Sequence, residues 1–157
     1  MDKRCQLEAD GFIIYFNIKS TESEEHIDLS TEFIASKNIG NVRLKSCSTF
    51  ITKKDLNRFS EYLENHIKKL EYDSDSESDI FVPMELGFQA QALEGEIGDK
   101  NNGEFSLRFL LNVGKDGAEN NSVYMGGESI VTLRNARAFI DSLHEALVQF
   151  QNVKSTE

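Results

Sequence analysis

The sequence predicts an α+β fold: antiparallel sheet, as one sheet or as two packed sheets, carrying two helices. Three observations predict it. The chain repeats itself once at an offset of 80 residues, with Thr52, Phe59 and Leu63 recurring as Thr132, Phe139 and Leu143. Ile27, Leu29, Thr31 and Phe33 fall in phase with Leu107, Phe109, Leu111 and Val113, and Phe50-Ile51 matches Ile130-Val131 in kind. Each half reads as strands followed by one helix, so the duplicated unit is βββα. The strands are joined by tight turns, and parallel pairing would need long crossovers. Neither half can bury much core alone. The expected organisation is therefore one domain over residues 1–157, with pseudo-repeats at about 11–70 and 86–150 and an acidic linker at 71–79.

The elements follow in order. Residues 11–20 (GFIIYFNIKS) are aromatic and β-branched and read as the first strand. Residues 26–36 alternate at Ile27, Leu29, Thr31 and Phe33, the signature of a half-buried strand. Asn38-Ile39-Gly40-Asn41 supplies turn chemistry, and Val42, Leu44 and Ser46–Ile51 continue as a third strand. Thr52 is placed to cap a helix, with Asp55 favouring its positive end. That helix runs to about Leu70, because Leu56, Phe59, Leu63, Ile67 and Leu70 form one stripe. The stripe is expected to pack on sheet.

The second half begins after Glu71–Asp79 (EYDSDSESD). Pro83, the only proline, implies an edge strand or a strand start, since it cannot donate to a ladder. A strand is expected at 86–97, a turn at Asn102-Gly103, and a well-alternating strand at 104–114. Asp116-Gly117 marks another turn. The last strand, 122–131, is interrupted by Gly126-Gly127, read as a β-bulge or a point of close backbone approach. Thr132 caps the second helix, with the stripe Ala136, Phe139, Ile140, Leu143, Leu147 and Phe150, and the tail is expected to fray from Gln151.

The formal net charge is −10 and hydrophobic residues make up 39% of the chain, enough for a packed interior. Such an acidic surface opposes nucleic acid and anionic membranes and favours a basic partner. The run Phe12–Phe16 is too short for a secretion signal, and no stretch reaches the roughly 20 apolar residues that span a bilayer. Cys5 and Cys47 lack a CxxC spacing and read as reduced thiols of a cytoplasmic protein. A disulfide between them would need the first and third strands to bring them close.

No GxSxG nucleophile elbow, no HxxxH or CxxC zinc pair and no phosphate-cradling glycine loop is present. His26, His66 and His144 are isolated, the last two at helix stripe edges, and each reads as a surface or boundary residue. Asp73, Asp75, Glu77 and Asp79 imitate a calcium loop, but its sixth position is Ser78 where glycine is wanted and its twelfth is Met84 where a bidentate glutamate is wanted. They read instead as a solvated, self-repelling linker or as a contact patch for a basic protein. No cofactor, metal or catalytic residue is expected.

Phe81-Val82-Pro83-Met84-Glu85-Leu86, the alternating strand from Glu104, and Tyr124-Met125-Gly126-Gly127-Glu128 leading into a Thr-capped helix resemble small bacterial immunity proteins of polymorphic toxin systems, the WapI-type group in particular. The resemblance covers roughly residues 50–150 and is one of layout. It implies a non-enzymatic inhibitor that binds and blocks a toxin domain. The acidic linker departs from that pattern. The alternatives are a secretion chaperone, which would more often open with a helix, and a hydrolase using scattered carboxylates. A cleft holding several titratable groups of strongly shifted pKa would mark the last.

Overall fold

The structure, a computed structural model, describes residues 2–99, 102–114 and 122–152. Along the chain lie β1 (Asp2–Glu8), β2 (Phe12–Ser20), β3 (His26–Ala35), β4 (Arg43–Lys45), β5 (Thr49–Thr52), α1 (Lys53–Leu70), β6 (Phe88–Ile97), β7 (Gly103–Asn112), β8 (Tyr124–Thr132) and α2 (Leu133–Asn152). The fold is α+β, and the sheet question resolves to two sheets. One runs β1-β2-β3-β4 with β5 also on β3, and the other runs β6-β7-β8. Every strand pairing is antiparallel.

Alternation builds the strands. In β2, Phe12, Ile14, Phe16 and Ile18 point inward and their neighbours outward. The same alternation forms β1, a strand absent from the sequence reading: Cys5 and Leu7 are buried while Arg4, Gln6 and Glu8 are exposed. The expected third strand is instead two strands. Ser46 breaks it, because its backbone N–H donates to the Thr31 carbonyl while its hydroxyl accepts from the Thr31 N–H, both at 2.8 Å.

Both helices start where the threonines place them. Thr52 Oγ1 accepts from the Asp55 N–H at 3.0 Å, and Thr132 Oγ1 accepts from the Asn135 N–H at 3.2 Å. Both apolar stripes are buried. Helix α2 continues to Asn152, beyond the position where fraying was expected. The Asp116-Gly117 turn lies outside the described residues. Gly126-Gly127 is no bulge, since β8 keeps an unbroken register with β7 through both glycines. The bulge sits in β6, between Ala92 and Gly95.

One cluster of buried side chains spans both sheets and both helices. Phe16 is at its centre. Its ring lies 5.2 to 6.1 Å, centroid to centroid, from Phe59 of α1, Phe88 of β6, Phe109 of β7 and Phe139 of α2. Each of these separations is in the range favoured by aromatic pairs. The halves are interlocked: α1 packs on β6, α2 packs on β1, and the helices pack on each other. The helices run antiparallel, so the Lys53 ammonium reaches the Phe150 carbonyl at 3.4 Å.

The strand entries dock reciprocally as well. The Gly11 N–H, before β2, donates to Ser129 Oγ of β8 at 2.7 Å. Gly87, before β6, sits against Thr49 of β5, where an added Cβ would lie 3.4 Å from Oγ1. Thr49 and Ser129 are themselves 80 residues apart. The strands preceding them are two residues out of step with that offset: β5 sets Ile51 opposite Ile27, whereas β8 sets Val131 opposite Phe105 and not Leu107.

Candidate functional site

The acidic segment 71–79 is not a free linker. It is a strap laid along the open edge of β6. Backbone N–H groups tie the two together: Gly95 to Ser74 O at 3.0 Å, Ser78 to Ala92 O at 2.9 Å, and Phe81 to Ala90 O at 2.7 Å, with Ala90 returning a bond to Phe81 O at 3.0 Å. The Gln91 side chain adds a bond to Ser78 O at 3.2 Å. The segment alternates acid and serine, and the alternation decides what faces out. Ser78 is buried and Ser76 half-buried, while Asp73, Asp75, Glu77 and Asp79 are all exposed. Asp73 also folds its own turn, its Oδ1 accepting the Asp75 N–H at 3.1 Å.

His66 is the peg that holds the strap. It is fully buried, which corrects its reading as a surface or boundary residue. Its Nε2 lies 2.8 Å from the Leu93 carbonyl and its Nδ1 lies 2.8 Å from Ser78 Oγ. A carbonyl can only accept, so Nε2 carries the proton and Nδ1 accepts from the serine hydroxyl. Burial pushes the His66 pKa down from its ordinary value, the Leu93 carbonyl opposes that, and Lys69 adds to it. The neighbouring Tyr62 hydroxyl accepts the Ala92 N–H at 2.9 Å. The signal for His66 was present in the chain: it lies three residues after Leu63 and four before Leu70, on the stripe itself.

Beyond Phe81 the strap becomes a loop that closes over the first turn of α1. Asp55 Oδ2 accepts the Met84 N–H at 3.1 Å, and Asp55 Oδ1 takes an ion pair with Arg58 at 2.6 Å. Leu86 is held in the left-handed region at φ 59°, the one described non-glycine residue there. Its carbonyl accepts from Tyr124 Oη at 2.8 Å and Asn112 Nδ2 at 3.1 Å. Next to it, Glu85 keeps Oε1 shut from solvent with no hydrogen-bond partner. Desolvation, helped by the Asp55 charge, lifts the Glu85 pKa to about 7, while the N–H groups of Glu85 and Gly87 pull the other way. Met84, 83% exposed, and Leu86, 48% exposed, project from this loop.

A scan against protein-family models and a search of curated proteins find no match to this chain. The site therefore rests on its own geometry.

The remaining surface is less organised. Two grooves of about 320 and 340 Å³ flank the seam between α1 and α2. They are copies of one another, since Glu64 and Ile67 in the first correspond to His144 and Leu147 in the second at the same 80-residue offset. His144 and His26 are half-buried. Among the described residues no three His, Cys, Asp or Glu side chains are grouped to hold a metal ion. Cys5 is buried, with burial raising its pKa, and Cys47 is exposed; neither forms a disulfide. No described helix is long and apolar enough to cross a membrane.

Proposed function

We propose that this protein is a non-catalytic binding module that captures a basic protein partner and blocks it, as toxin-immunity proteins do. The observation that carries the reading is the strap: Asp73, Asp75, Glu77 and Asp79 are presented outward from a backbone pinned along β6 and pegged by His66. Pre-ordered charges spare the ordering entropy that a loose acidic tail would lose on binding. The charge distribution agrees. Helices α1 and α2 carry seven Lys and Arg against five Asp and Glu. The whole of the −10 charge therefore resides on the strands and connections. Such a face steers a basic partner and raises its association rate. Two free thiols suit a reducing cytoplasm.

The test has two steps. A pull-down from the native host, read by mass spectrometry, is expected to return a basic protein. The quadruple variant D73N/D75N/E77Q/D79N is then expected to slow association with that protein about tenfold at low ionic strength and to flatten its salt dependence, with the melting temperature unchanged. Unaltered kinetics in the variant, or recovery of this chain alone, defeats the proposal.

A further inference from the structure

We propose that the loop Val82–Gly87 is a proton-operated latch, shut over the first turn of α1 while Glu85 is neutral and opened when Glu85 ionises. Three features of the loop point this way, and none involves the acidic strap residues. The closed loop leaves Glu85 Oε1 sealed and unpartnered, an arrangement a neutral carboxyl tolerates far better than a carboxylate. The charge that acts on Glu85 is the Asp55 carboxylate of α1. Arg58, also of α1, is engaged at Asp55 Oδ1, the Tyr124 hydroxyl of β8 donates to the Leu86 carbonyl, and only the N–H groups of Glu85 and Gly87 act on the carboxyl in the opposite sense. No described cation pairs with Glu85. Finally, Leu86 is bent into the left-handed region that a branched side chain avoids. The closed form thus stores strain and is retained by a few bonds: Leu86 N–H to Pro83 O at 3.0 Å, Met84 N–H to Asp55, and the two bonds to the Leu86 carbonyl.

The sign follows from linkage. An open loop returns Glu85 to water and to its ordinary value near 4.5, against about 7 when closed. Opening therefore releases a proton between pH 4.5 and 7. Its equilibrium constant rises up to tenfold per pH unit across that window and is level above it. Opening would free Met84 and Leu86, two exposed apolar side chains, from a fixed display.

The latch is tested on the intact protein without a partner. Carbon-13 NMR of the side-chain carboxyls is expected to show Glu85 titrating near 7. Hydrogen exchange at the Met84 and Leu86 amides, corrected for intrinsic rate, is expected to lose about 100-fold in protection from pH 4.5 to 7. Glu85→Gln should abolish that pH dependence, and Leu86→Gly should raise protection at every pH while keeping it. A Glu85 midpoint near 4.5, or the same pH dependence in Glu85→Gln as in the parent, overturns the proposal.

Discussion

Gly126 and Gly127 are neighbours in β8 but answer to different constraints. A Cβ on Gly126 would run into the Phe109 carbonyl across the ladder, whereas one on Gly127 would rest 3.4 Å from the edge of the Phe33 ring. Gly126→Ala is therefore expected to force β7 and β8 apart and to cost about 1–3 kcal/mol, as overpacking does, while Gly127→Ala stays near neutral. Urea unfolding of the two variants side by side checks this. Of the two sequence-level readings of the pair, bulge or close approach, close approach holds, and for Gly126 alone. A single sequence cannot separate them, because the deciding atom belongs to Phe109 on another strand. His66 was more legible than its reading allowed. Helical spacing puts it on the apolar stripe, and the residue 80 positions on, Ala146, is buried too. Glu85 was not legible at all. Its raised pKa comes from a dry loop and the approach of Asp55, and neither is written in the local sequence.

At the scale of elements, the two helices were read nearly to the residue, because a threonine cap and a five- or six-residue stripe are local signals. The duplication makes them comparable. Thr52→Ala and Thr132→Ala are each expected to lose about 1 kcal/mol, and by similar amounts, since each removes one hydroxyl acceptor from one first-turn amide. Thermal unfolding at fixed pH measures both. A loss confined to Thr52 would show that the two caps are not equivalent. Strand β1 was missed because only Cys5 and Leu7 mark its inward face amid charged neighbours. Its position is fixed by pairing with β2 and by the α2 surface beneath it. The strap was missed for another reason. Its acid–serine alternation is a strand-like period of two, but composition pointed to a solvated linker. Ser76 and Ser78 turn inward where a strand would normally place apolar residues.

Across the whole molecule two titratable groups that border the strap, His66 of α1 beneath it and Glu85 of the loop at its end, act on stability in opposite senses. His66 has its pKa lowered by burial. The unfolded chain therefore takes up a proton below about 6.5 that the native state refuses, and His66 removes stability as pH falls through that value. Glu85 has its pKa raised from 4.5 to about 7. The native state holds a proton there that the unfolded chain has released, so Glu85 removes stability as pH rises across that window and no further above it. Just below pH 6.5 the two slopes oppose each other, so each partly offsets the other in the parent protein. Relative to the parent, Glu85→Gln should gain stability as pH rises from 4.5 to 7. His66→Gln, which keeps a polar amide near Ser78 and Leu93, should gain relative stability as pH falls below 6.5. Urea midpoints across pH 4.5 to 8 for the three proteins make the comparison. Parallel curves for parent and Glu85→Gln would mean that the carboxyl is ordinarily solvated, whereas diverging curves tie the stability of the whole fold to one loop at the end of the strap.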